Sequence, residues 1–192
     1  MRHIRSFLTL VLVAVVTALP AAAQVPADRQ AAILARALAY DRNLATRAGE
    51  AVDIAVVWRA EDAAGAAAAQ KHIAGFKALG DLKISGLPLR VQGVALTTVE
   101  ALAAAFAASK VDAVFVVGLA DETLTKVLQA CAKQKAVTMG ASRATVEAGV
   151  ALGVEAVGDK PTIFVNVAAA EREGASFAAN LLRVAVVVSG AP

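Results

Sequence analysis

Two stretches, Val52 to Trp58 (VDIAVVW) and Val111 to Gly118 (VDAVFVVG), are apolar at nearly every position. Successive side chains of a strand point to opposite faces, so strands like these must be covered on both. The chain supplies that cover. Leu89 to Leu96 and Ala136 to Met139 read as further strands, and helical spacing recurs between them. Ala69, Ile73 and Phe76 form the buried face of an alanine-rich helix over 61–79. Thr97 and Glu100 have capping-box spacing at the start of a helix running to about Ser109. Asp121 starts a third helix, whose stripe is Leu124, Val127, Leu128 and Cys131. Gly80 to Pro88 reads as a loop, and Ser142 to Gly149 as a loop or short helical turn. The resulting order, β-α-β-α-β-α-β, favours a parallel sheet between two helical layers.

The end of the chain departs from that alternation. Val150 to Val157 and Thr162 to Val167 are joined by Gly158-Asp159-Lys160, which leaves little room for a crossover helix. They read as an antiparallel hairpin along one edge of the sheet. Asn166 can cap a short helix through Arg172, and Gly174 suits its end. Leu181, Leu182, Val184 and Ala185 form an apolar block that calls for burial. The expected fold is three-layer α/β: a mixed, mostly parallel sheet, helices on both faces, and a C-terminal antiparallel hairpin.

The start of the chain reads as an address. Arg2, His3 and Arg5 precede an apolar run from Phe7 to Leu19, and Ala21-Ala22-Ala23 offers a cleavage site before Gln24. The run falls short of the roughly 20 residues that span a bilayer core. Residues 1–23 are therefore expected to be a cleaved signal peptide, and residues 24–192 a single exported α/β domain in the periplasm. Within that domain Ile33, Ala37, Tyr40 and Leu44, with Leu34 and Leu38, predict a helix from Asp28 to Thr46, capped by Asp28.

Charge and chemistry exclude more than they suggest. Arg2 and Arg5 leave with the signal and no acid does, so 19 basic against 16 acidic residues becomes 17 against 16. Lysines and arginines are scattered, with no basic-aromatic patch for nucleic acid. GxGxxG and GxxxxGK[ST] phosphate cradles and a GxSxG nucleophile elbow are absent from the sequence. Cys131 reads as a small buried hydrophobe and His72 as a partly exposed helix residue, and no pair has metal-ligand spacing. The carboxylate pairs Asp121-Glu122 and Glu171/Glu173 suit solvated helix turns. No enzyme activity, cofactor or metal is expected.

Parallel strands would bring Trp58-Arg59, Gly118-Leu119 and Met139-Gly140-Ala141-Ser142 to one end of the sheet, where open α/β sheets bind ligands. Ser142 and Arg143 are candidate ligand contacts there, Arg143 for an anionic group.

A resemblance adds a second line. Ile163, Val165 and Asn166, then Ala168 to Ala170, Gly174 and Leu181-Leu182-Arg183, resemble the C-terminal pattern of the YfiR family of exported proteins. Gly153 stands where the family's preceding strand is glycine-rich, and the order of signal, helix and IAVVW-type strand is similar. The resemblance implies a periplasmic, non-enzymatic regulator. It would bind the sensor region of an inner-membrane diguanylate cyclase, lower cyclic di-GMP and restrain biofilm formation. Asn166, also explained as a helix cap, and Arg183, also explained as a surface charge beside the core, are candidate interface contacts. A periplasmic solute-binding module is the alternative, and an exported assembly factor a third reading. A small-molecule ligand and a second copy of the chain are the other partners in view.

Overall fold

A computed structural model describes residues 24–108 and 110–189. The segment read as an export signal, 1–23, and Ser109 lie outside the described residues. In chain order the elements are α1 (Ala27–Leu38), α2 (Leu44–Arg47), β1 (Val52–Arg59), α3 (Ala63–Lys77), β2 (Lys83–Ile84), β3 (Leu87–Leu96), α4 (Val99–Ala108) and β4 (Ala113–Val116). They continue with α5 (Asp121–Gln134), β5 (Val137–Gly140), α6 (Arg143–Glu147), β6 (Leu152–Val157), β7 (Lys160–Val165), α7 (Val167–Arg172), α8 (Ala179–Val184) and β8 (Val186–Val187). The strands form one sheet in the order β2-β3-β1-β4-β5-β6-β7-β8.

β3, β1, β4, β5 and β6 run parallel, and β6 and β7 form the antiparallel hairpin, closing between Val157 and Lys160. The sheet is mixed and mostly parallel, as the alternation predicts. β1 shows why two helical layers are needed. Val52, Ile54, Val56 and Trp58 pack with Leu34 and Leu38 of α1 and Ile73 and Phe76 of α3. Ala55 and Val57 pack on the other side with Leu102 and Phe106 of α4 and Val127 and Cys131 of α5. Each large apolar side chain so buried contributes about 1.5–3 kcal/mol.

The structure departs from expectation at several places. The helix expected over 28–46 breaks after Leu38, because Asp41 is drawn inward to make an isolated bridge with Phe177. Its carboxylate also takes the backbone N–H of Asn43, a local bond that competes with helix. Tyr40 is consequently exposed, off the buried stripe. Asp28 lies in the first turn, and the cap position falls to Pro26. The loop over 80–88 contains β2, turned back on β3 through Ser85 and Gly86, both at positive φ (52° and 84°).

At the start of α4 the capping side chain is Thr98, one residue beyond Thr97; its Oγ1 accepts from Ala101 N at 3.2 Å. The hairpin does not form the sheet's edge, since β8 pairs outside it, parallel to β7. Leu181 is buried, but Val184 is 72% exposed, so the C-terminal apolar block is only partly covered.

Candidate functional site

The C-terminal ends of β5 and β6 meet the start of α1 and the middle of α3 around a cavity of about 620 Å³. Ser142 and Ala141 follow β5, Glu155 and Ala156 come from β6, Lys71 and His72 from α3, and Gln30 from α1. Trp58-Arg59 and Gly118-Leu119, expected at the same rim, line no part of it. Asp62 occupies the space between those strand ends: its Oδ2 lies 3.1 Å from where a Cβ on Gly118 would stand. The opening is thereby moved along the sheet.

His72 carries the least expected environment. It is only 7% exposed, lies against Phe115 with ring centroids 4.3 Å apart, and its Nδ1 is buried without a hydrogen-bond partner. Burial lowers its pKa to about 4, so the ring is neutral at neutral pH. The signal was in the spacing: His72 stands three residues after Ala69 and four before Phe76, on their stripe. Gln30, also buried, ties α1 to the sheet, Nε2 donating to Ala141 O (3.1 Å) and Val154 O (3.0 Å).

Three of the four sequence-derived candidates surround α6. Ser142 lines the cavity and caps α6, its Oγ accepting from Thr145 N at 3.2 Å. Arg143 donates its backbone N–H to Glu155 and its Nε to Glu147, each at 2.7 Å, and its guanidinium lies 5.8 Å from the Phe164 ring centroid. Asn166, 2% exposed, caps α7 by accepting from Ala169 N (3.0 Å), while Nδ2 donates to Val146 O in α6 (3.4 Å). Gly153 makes this arrangement fit: a Cβ there would stand 2.5 Å from Val146 Cγ2 and 2.9 Å from Ser142 O. Arg183 is apart from the others, exposed on α8 beside Val184 and the half-exposed Val186 and Val187 of β8.

A second polar cluster was not legible as such. Glu173, expected on a solvated turn, is 2% exposed and clamps β5. It accepts from Thr138 N and Thr138 Oγ1, both at 2.7 Å, while Thr138 Oγ1 accepts from Ala151 N at 2.9 Å. Burial raises its pKa to about 8, against the opposing effect of the Thr138 bonds. Nearby, Asp41 pairs with Arg47 at 2.9 Å and accepts from Ser176 N at 2.8 Å. Arg47 and Asn43 both donate to Gly174 O. Cys131 is buried and free, its thiol pKa pushed well up by burial, as its place on the α5 stripe suggests.

Among the described residues no group of three or more His, Cys, Asp or Glu could hold a metal ion. None of their helices is long and apolar enough to cross a membrane.

Solved structures of α/β periplasmic-binding-like domains share the fold of this mixed, mostly parallel sheet. They include the ABC domain in complex with L-Trp from Streptococcus pneumonia (TM-score 0.56, 16% identity, 85% of this chain and 60% of that one). A conserved domain protein from Vibrio cholerae is similar (TM-score 0.57, 16% identity, 84% and 60%). So is a ligand-free, open substrate-binding protein with adhesive properties from Clostridium difficile (TM-score 0.52, 15% identity, 78% and 58%). The chain thus spans about 60% of the length of these proteins. A search of curated proteins finds no match. Residues 30–186 match the YfiR/HmsC-like family, and the chain belongs to it. That family is regulatory and non-catalytic, and it fits a periplasmic regulator.

Proposed function

We propose that the protein is exported through a signal peptide cleaved before Gln24 and acts in the periplasm as a regulatory subunit. It binds the sensor region of an inner-membrane diguanylate cyclase, holds the cyclase inactive and restrains cyclic di-GMP signalling and biofilm formation. Family membership across residues 30–186 carries this reading. Such a role requires a contact surface and no reacting group. The exposed Val184, Val186 and Val187 (72%, 42% and 53%), with Arg183 beside them, form the surface best suited to it. Arg183 is the proposed polar anchor of that surface. Asn166 acts behind it, by fixing α6 and α7. The test is co-purification from solubilised membranes of the protein's own source. Recovery of a membrane protein with a periplasmic sensor region and a cytoplasmic cyclase domain is the expected result. Recovery of a transporter subunit instead contradicts the reading.

The cavity favours a second reading, a small-molecule binding module. It lies at parallel strand ends in a fold shared with a domain in complex with L-Trp. Ser142, in the cavity wall, is the proposed ligand contact; Arg143, the next residue, does not line the cavity and would reach a ligand only by leaving Glu147. Saturable thermal stabilisation by a small metabolite, with only a transporter subunit recovered from membranes, is the outcome that selects this reading over the first.

A further inference from the structure

The described chain is anchored from its second residue. Val25 is buried in the core that α1, β1 and α3 share, and Pro26 O accepts from Gln30 N at 2.8 Å in the first turn of α1. Gln24, one residue earlier, is exposed, and it stands in the wall of the cavity with Pro26, Lys71, Ser142 and Glu155. Cleavage before Gln24 makes it the first residue of the exported chain and gives it a new α-amine. The side chains of the lining carry one formal charge of each sign, on Lys71 and Glu155. An α-ammonium on Gln24 adds a second positive charge to the same wall.

We propose that Gln24 is a modification site, at which the exported chain closes its new α-amine on the side-chain amide of the same residue to give pyroglutamate. The α-nitrogen attacks Cδ, a bond forms between them, and the Cδ–Nε2 bond breaks. Nε2 leaves as ammonia, taking one hydrogen from the α-amine, and no oxidant, reductant or co-reactant is needed. Both reacting groups belong to one residue, so the step is unimolecular. Gln24 is exposed, and its side chain and amine fold toward each other without moving the buried Val25. Before cleavage the same nitrogen is the amide joined to Ala23 and is no nucleophile, so the modification follows export. The product is an uncharged lactam, and the terminal charge is lost. The wall that a ligand would meet then carries one charge of each sign. This inference rests on the export reading proposed above and on neither the cyclase nor a ligand.

The test is the intact mass of the protein, expressed with its signal in its own source and purified after export, with fragmentation of its N-terminal peptide. The expected mass is that of residues 24–192 less one ammonia, with the loss located on residue 24. Gln24→Asn, whose shorter side chain cannot close that ring, should keep its full mass and a free α-amine. A chain that starts at Gln24 and retains its ammonia and a free amine after days at neutral pH overturns the inference and leaves the export reading in place. Loss of ammonia located at another residue, with the amine of Gln24 free, does the same. A mature chain that starts elsewhere overturns both.

Discussion

The clamp around Asp41, Thr138 and Glu173 and the cavity around His72 both bury polar groups, but they finish the task differently. In the clamp the carboxylate oxygens of Asp41 and Glu173 have partners: an arginine, a hydroxyl and backbone N–H groups. In the cavity His72 keeps a buried nitrogen without one. The clamp joins segments distant in sequence, Asp41 to Ser176 and Thr138 to Glu173, and its work is completed within the fold. An unpaired buried atom does not by itself separate the two, because Arg47 Nε in the clamp also lacks a partner; the contrast lies in the clamp's carboxylates, whose oxygens are all held.

The contrast is sharpest at Asp41. Asp41→Ala leaves Arg47 without its carboxylate and frees Ser176 N, so chemical denaturation should show a loss of about 3–5 kcal/mol. Ligand binding by the surviving folded fraction should be unchanged. Glu173 gives the clamp a pH signature. Its folded pKa is raised, so the unfolded chain ionises first, and stability falls as pH rises from about 4.5 to about 8. His72 works in the other direction. Its folded pKa is depressed, so its contribution is lost as pH falls from 6.5 to about 4. Above pH 6.5 only the Glu173 slope remains of the two. Melting temperature should therefore drop between pH 6.5 and 8 in the native protein and flatten in Glu173→Gln, which is the more stable of the two at pH 8.

Asn166→Ala removes a cap and a bond to Val146 O, and should cost about 1–2 kcal/mol by denaturation. Cyclase capture should weaken only as far as the fold does. Arg183→Ala inverts that pattern: stability should stay within about 0.5 kcal/mol, because the side chain is exposed. Capture of the partner should fall instead.

The parallel half of the fold was legible because its code is local. A strand buried on both faces is apolar at nearly every position, as Val52 to Trp58 shows, and each helix between such strands carries its own stripe. The caps at Ser142 and Asn166 are local too, and Asn166 was read as one. The clamp was not legible. Asp41 sits within what looks like a continuous helical stripe, and only Ser176, Phe177 and Arg47 brought together by folding explain why it turns inward. Glu173 looks solvated in a sequence window because Thr138, 35 residues away, is its partner. His72 was half legible. Its spacing placed it on the buried stripe, but its polarity argued for the surface, and tertiary packing against Phe115 decided the matter.

Contact with a cyclase is the central claim, and control of its output is the most direct test. The captured cyclase would be reconstituted in vesicles with its sensor region accessible, and cyclic di-GMP formation measured as the protein is titrated in. Our account predicts a saturable fall in rate, with Arg183→Ala shifting the titration to higher concentration. A rate that stays level at saturating protein would contradict it.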